Sequence, residues 1–163
     1  MLEVDLPSEL LIYKDKIEST IKPFIEIKTK AENNLSLWQS KFGGLPYFPK
    51  SLQYPIDSKG KAMFLLAQIN FSETPNLASF PEKGILQFYI SNGSDVYGAC
   101  FESPAKQEDF RVLYFPEVIE DEHLLVTKFD FLPKPDMLPI EKQSSLTFNL
   151  KHAPMPVVDY LFE

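Results

Sequence analysis

The chain has 163 residues, 44% of them hydrophobic, and a formal net charge of −7, enough for one domain with its own core and too few for two large ones. Nucleic-acid binding by phosphate neutralisation and docking on anionic membranes are disfavoured, because both need clustered Lys and Arg. Fourteen Phe, seven Tyr and fourteen Pro against six Gly favour short strands with stiff connections over long helices.

Leu6, Leu10, Tyr13, Ile17, Ile21 and Phe24 recur at steps of three or four, which predicts a helix over about Pro7–Lys22 with Asp5 or Ser8 as cap. Pro23 ends it, since proline removes a backbone donor and biases Lys22 away from helical geometry. Phe24 to Thr29 has mixed strand character up to the Asn33-Asn34 turn, and Leu35–Phe42 leads Trp38 into a bend. That bend, Ser40-Lys41-Phe42-Gly43-Gly44-Leu45-Pro46-Tyr47-Phe48-Pro49, places two glycines able to take left-handed geometry before two prolines that force extended neighbours.

Beyond the bend, short apolar runs bounded by turn residues predict strands at Ala62–Asn70, Gly84–Ser91, Phe110–Phe115, His123–Leu132 and Ser145–Leu150. No second long helical stripe follows, so parallel βαβ units are not expected and the strands should pair antiparallel. Three prolines between Pro133 and Pro139 exclude a sheet centre and predict an extended surface crossing. The apolar run Val157-Val158-Asp159-Tyr160-Leu161-Phe162 is expected to dock on something, because termini are usually polar and frayed. The fold expected is α+β, residues 1–163 forming one domain with an N-terminal helix packed on a mostly antiparallel twisted sheet.

Cys100 is the only cysteine, so it has no intramolecular disulfide partner. Met1 to Pro7 has neither a basic leader nor a long apolar run, and no segment approaches the roughly 20 apolar residues of a membrane helix. A cytoplasmic setting without membrane contact is expected.

The bend, with Tyr54-Pro55, Met63 to Asn70, Gly84 to Ile90, Asp95-Val96-Tyr97-Gly98 and Phe110 to Pro116 in that order, resembles the YwqG-like family of bacterial proteins. The resemblance covers most of the chain, and the blocks are specific as a set. It implies a domain of unknown function and supplies no catalytic residues. It also implies that this chain corresponds to the N-terminal half of longer members, which carry a second Gly-Pro-aromatic turn and a Gly-Asp block. Surfaces that another half would cover are then left open, and a homodimer is expected to cover them.

Chemistry-bearing residues point away from catalysis. A catalytic cysteine needs a base beside it, so Cys100 with His123 or His152 is one candidate, yet a lone cysteine between Ala99 and Phe101 reads as a small core residue. Two distant histidines lack the spacing of a zinc site. The acids Glu117, Glu120, Asp121 and Glu122 lack the ordered spacing and turn glycine of a calcium loop and read as solvated surface. Gly43-Gly44 is followed by Leu-Pro instead of a helix start, which excludes a phosphate-binding loop there.

The candidate binding residues are Phe42, Gly43, Gly44, Tyr47, Phe48 and Tyr54, an aromatic platform for a small molecule or a partner protein's loop; the competing reading packs the same rings into a core corner. A non-catalytic binding or interaction protein is therefore expected, with no cofactor, metal or nucleic acid. The alternative is a hydrolase or transferase using clustered carboxylates or Cys100.

Overall fold

The computed structural model describes residues 6–93, 95–156, 158 and 159. Six strands form one sheet: β1 (Lys22–Ala31), β2 (Lys41–Phe42), β3 (Phe64–Asn70), β4 (Ile85–Ile90), β5 (Phe110–Phe115) and β6 (Ser144–Ala153). Their order is β1-β6-β2-β3-β4-β5 and each pairing is antiparallel. The expected antiparallel sheet is present, and the predicted strands at Ala62–Asn70, Gly84–Ser91, Phe110–Phe115 and Ser145–Leu150 correspond to β3, β4, β5 and β6.

Two predicted elements differ. The helix expected over Pro7–Lys22 is a 3₁₀ segment, Ser8–Tyr13, followed by one short α-helix, α1 (Lys14–Glu18). Its start is Pro7 with no side-chain cap; Asp5 lies outside the described residues. None of its residues is buried, and Ile12 is 81% exposed. Pro23 does more than stop a helix: it sits second in β1, an edge strand, where a missing N–H costs no ladder bond.

The strand predicted at His123–Leu132 is absent. Asp121 accepts a hydrogen bond from the His123 N–H (2.9 Å) and starts a 3₁₀ turn at Glu122–Leu124. Leu125 then makes a single bridge with Pro49, flanked by hydrogen bonds from the Lys50 N–H to the Leu124 carbonyl (2.9 Å) and from the Val126 N–H to the Phe48 carbonyl (2.8 Å). The apolar period of this run comes instead from anchoring a loop, through Leu125 and Phe129, both buried.

Register divides the sheet into two unlike faces. Gln68 opposite Gln87, Lys41 opposite both Gln68 and Ser145, and Ser145 opposite Lys30 define the inner face, under the connections 43–63 and 116–131. There Tyr47, Ile85 and Leu125 form one cluster with Trp38 and Phe115 around it, and Met63, Leu65 and Tyr89 form a second. Every charged strand residue (Lys22, Glu26, Lys28, Lys30, Lys41, Arg111 and Lys151) falls on this side by alternation. The outer face carries Ile25, Ile27, Phe148, Phe42, Ile69, Leu86, Phe88, Val112 and Tyr114 and no charged strand residue.

The turn at Gly98 has a direct steric cause. Gly98 lies at φ +91°, and a Cβ there would overlap the backbone carbonyl of Asp109, whose O accepts from the Ser91 N–H just beyond β4. Gly98→Ala is expected to cost at least about 2 kcal/mol, from strained φ together with the clash. A urea-unfolding midpoint equal to that of the parent protein would contradict this.

Candidate functional site

The bend begins where β2 ends. Two residues long, β2 pairs with β6 on one side and β3 on the other. Gly43 and Gly44 then take φ +64° and +73°, a left-handed pair that turns the chain off the sheet while the Gly43 N–H still donates to the Leu66 carbonyl (3.0 Å). Lys41 fastens both arms of the bend. Its ammonium, only 1% exposed, donates to the carbonyls of Ser36 and Leu45, the latter at 2.9 Å. Burial lowers the Lys41 pKa to about 8, with Glu73 acting in the opposite direction. Glu73 accepts the Ser40 N–H at 2.8 Å, so charge and backbone are tied in one place.

The six candidate residues do not share one surface. Tyr47 and Phe48 are buried, and Tyr54 is largely covered. Phe48 and Tyr54 lie 5.0 Å apart between ring centroids, Tyr54 and Phe131 4.9 Å, and Tyr47 and Phe115 5.3 Å. These rings pack on the inner face of the sheet. Burial raises the Tyr54 hydroxyl pKa, and raises that of Tyr89, where the nearby Tyr54 adds to it. Phe42 stands on the outer face, half-buried.

Gly43 and Gly44 instead line a cavity of about 600 Å³. Its sheet wall is Phe64, Leu66 and Ile90, and its other wall is the proline-rich crossing, from Leu132 to Gln143. That crossing has no regular structure, as its prolines require, and runs directly over the glycines. A Cβ at Gly43 would meet Ile140 Cγ2 at 3.2 Å, and one at Gly44 would overlap the Gln143 side-chain oxygen. Asp136, Glu141 and Gln143 are the polar lining residues, and neither acid forms an ion pair among the described residues. The site thus offers a mainly apolar trough with acceptors at its rim.

Sequence reasoning missed a buried polar network beside this bend. Gln68 Oε1 accepts from the Tyr47 N–H (2.9 Å) and from Gln87 Nε2 (2.7 Å), while Gln68 Nε2 donates to the carbonyls of Leu37 (2.7 Å) and Gln39 (2.9 Å). Gln87 Nε2 also donates to the Tyr47 carbonyl (2.6 Å), and the Tyr89 hydroxyl donates to Gln87 Oε1 (2.9 Å). The signal was available: each glutamine occupies an inward position of an otherwise apolar strand, and a buried amide needs partners.

Among the described residues no hydrogen bond joins Cys100 to His123 or His152. Cys100 is half-buried in the β4–β5 connection, in a shallow hollow with Tyr97, Phe101 and Phe110. His152 is on β6, three strands from β4 in the sheet order and hence roughly 14 Å away across it. Of the acidic run, Glu117 pairs with Lys83 at 2.8 Å and Asp121 caps its turn. Among the described residues no group of three or more His, Cys, Asp and Glu is placed to hold a metal, and no helix is long and apolar enough to cross a membrane.

No curated protein matches the chain. Residues 40–163, from the first residue of the bend onward, match the family described as "Domain of unknown function (DUF1963)". The match spans every strand after β1, the glycine bend and the crossing above it, and the chain belongs to the DUF1963 family.

Proposed function

We propose that this protein is a non-catalytic binding protein whose ligand seats an apolar body between the Gly43-Gly44 bend and the 132–143 crossing. The observation that carries this reading is the cavity itself. Its volume of about 600 Å³ lies within the roughly 300–1,000 Å³ typical of small-molecule sites, and like them it combines an apolar lining with few polar groups. Asp136 and Glu141 favour a cationic or hydrogen-bond-donating end on that ligand. The same two acids are all that the alternative, a carboxylate-based hydrolase or transferase, has in this cavity.

The YwqG-like affiliation belongs to this reading as well, supported by the order of the sequence blocks. With it go a bacterial origin, a cytoplasmic setting and a correspondence of residues 1–163 to one half of longer members. The packing of the N-terminal helix on the sheet is likewise part of it, with Leu10, Leu11 and Ile12 as the apolar side chains that would make the contact.

Titration of the ¹⁵N-labelled chain with 4-phenylbutylamine and, separately, with 4-phenylbutyrate tests the proposal. The amine is expected to bind saturably, shifting the amides of Gly43, Gly44 and Ile140, and to bind about tenfold more tightly than the carboxylate. In the double variant Asp136→Asn, Glu141→Gln that preference is expected to vanish. Equal binding of the two probes, or shifts that avoid these amides, would overturn the reading.

A further inference from the structure

We propose that the ligand of this cavity is an extended peptide, which enters the sheet where β2 leaves it and pairs with the open edge of β3; this rests on the cavity being the ligand site.

The sheet topology makes the room. β2 stands between β6 and β3 yet contributes only Lys41 and Phe42 to the two ladders. Neighbouring strands lie about 4.8 Å apart, so β3 and β6, paired to opposite sides of β2, are separated by about 9.6 Å, the width that one inserted strand fills. Past Phe42 the antiparallel register carries β3 back through Leu66, Leu65 and Phe64, and carries the chain before β6 back from Gln143 towards Ile140. Residues of both stretches line the cavity. Gly43 and Gly44 open the slot, because their left-handed φ turns the chain out of it after one further bond, from the Gly43 N–H to the Leu66 carbonyl.

The slot has backbone to offer. On the β2 side Phe64 and Leu65 have no strand partner among the described residues, since β2 pairs only with Ala67 and Gln68 of β3. An unpaired edge presents N–H and C=O groups to any extended chain, and strand addition to such an edge is a common mode of peptide recognition. Across the slot, Gln143 still follows the ladder, its carbonyl accepting from the Glu32 N–H at 3.2 Å. Its side-chain amide lies against Gly44 and forms no hydrogen bond among the described residues.

Side-chain chemistry selects the peptide. A strand running as β2 does sends every second side chain to the outer side of the sheet, where Phe64, Leu66 and Ile90 form an apolar wall. Asp136 and Glu141 at the rim, on a chain of net charge −7, complement a cation and repel an acidic partner. The fitting sequence is therefore an aromatic or aliphatic residue with Lys or Arg two positions away, on the same side. A small apolar amine would meet the wall and the acids, but it would leave the edge of β3 unpaired.

The test titrates the ¹⁵N-labelled chain with acetyl-Thr-Phe-Thr-Lys-amide, with the same peptide N-methylated at its Phe and second Thr, and with 4-phenylbutylamine. The plain peptide is expected to bind at least about tenfold more tightly than the amine, and to add shifts at the Phe64, Leu65 and Leu66 amides to those at Gly43, Gly44 and Ile140. Methylating two consecutive amides removes a donor on each side of the strand, and is expected to return the affinity to about that of the amine.

If the amine binds at the bend while the peptide binds no more tightly, or while its methylated form binds equally, the slot takes no strand and the proposal falls, with the small-molecule reading of the cavity left standing. If neither probe shifts the bend amides, both fall. Peptide-induced shifts confined to the edges of β1 or β6 overturn the proposal as well, and so do shifts at Phe64 to Leu66 that appear on concentrating the protein alone, which would give the slot to a second copy.

Discussion

Gln68→Leu is expected to lower the unfolding free energy by about 4 kcal/mol, a large share of the roughly 5–15 kcal/mol that holds a domain folded. Leucine is close to glutamine in size and suits an apolar strand, so packing on β3 changes little. What changes is hydrogen bonding. All four capacities of the Gln68 amide are used, by Tyr47, Gln87, Leu37 and Gln39, and the side chain has no exposure. Its loss strands the Tyr47 N–H and the carbonyls of Leu37 and Gln39 in the interior, at about 1–3 kcal/mol each before relaxation.

The urea-unfolding midpoint measures this directly, beside Asn76→Ala, which removes an exposed bond to Glu82 and should cost less than about 0.5 kcal/mol. A Gln68→Leu loss below about 1.5 kcal/mol would mean that the 36–40 segment swings out to water, and that the network does not hold the bend.

Lys41 has the second large effect, and it appears as a pH dependence. Folding lowers its pKa from an ordinary 10.5 to about 8, so between these values the unfolded chain carries a proton that the folded chain has released. Stability then rises with pH across this window, because the unfolded state binds more protons. The upper bound of the rise is about 3 kcal/mol, at 1.36 kcal/mol per unit.

Tyr54 and Tyr89 act oppositely above pH 10: burial raises their hydroxyl pKa, so the unfolded state loses protons first and stability falls. The difference between the parent and Lys41→Met, followed from pH 7 to 10, isolates the lysine. The parent curve is expected to climb relative to the variant, and parallel curves would refute the assignment. Even at pH 9 the neutral amine still donates to Ser36 and Leu45, so the bend keeps its fastening.

Much of the fold follows from local pattern. The strands Phe64–Asn70, Ile85–Ile90 and Phe110–Phe115 needed only short apolar runs and their bounding turns, and the proline-rich crossing could not be anything regular. Two elements were misread for a common reason. The stripe from Leu6 to Phe24 has helical spacing, yet a stripe secures a long helix only when a surface buries it, and here that face is open. The run His123–Leu132 has strand spacing, yet a strand needs a partner along its length, and here the pairing is limited to the one bridge between Leu125 and Pro49.

The candidate site shows the same division. Gly43-Gly44 and the prolines were legible as a bend, since left-handed φ and fixed φ are properties of single residues. That Tyr47, Phe48 and Tyr54 turn inward while Phe42 turns outward depends on which side of the sheet the connection crosses, and no local pattern carries that. The cavity could not be read at all, because its second wall, Ile140 and Gln143, lies nearly a hundred residues along the chain from Gly43 and Gly44.

Charge placement separates the two sources most clearly. By itself the sequence determined that Glu26 and Arg111 alternate with apolar neighbours, and so that strands β1 and β5 each have a charged and an apolar side there. Only the tertiary structure decided that registers across six antiparallel strands bring all the charged sides to one face and the apolar sides to the other, where segments 71–80 and 132–143 pack on them. Alternation is set residue by residue, whereas which connection packs on which face depends on the tertiary fold, and the buried amides of Gln68 and Gln87 hold the 43–63 connection on the charged side.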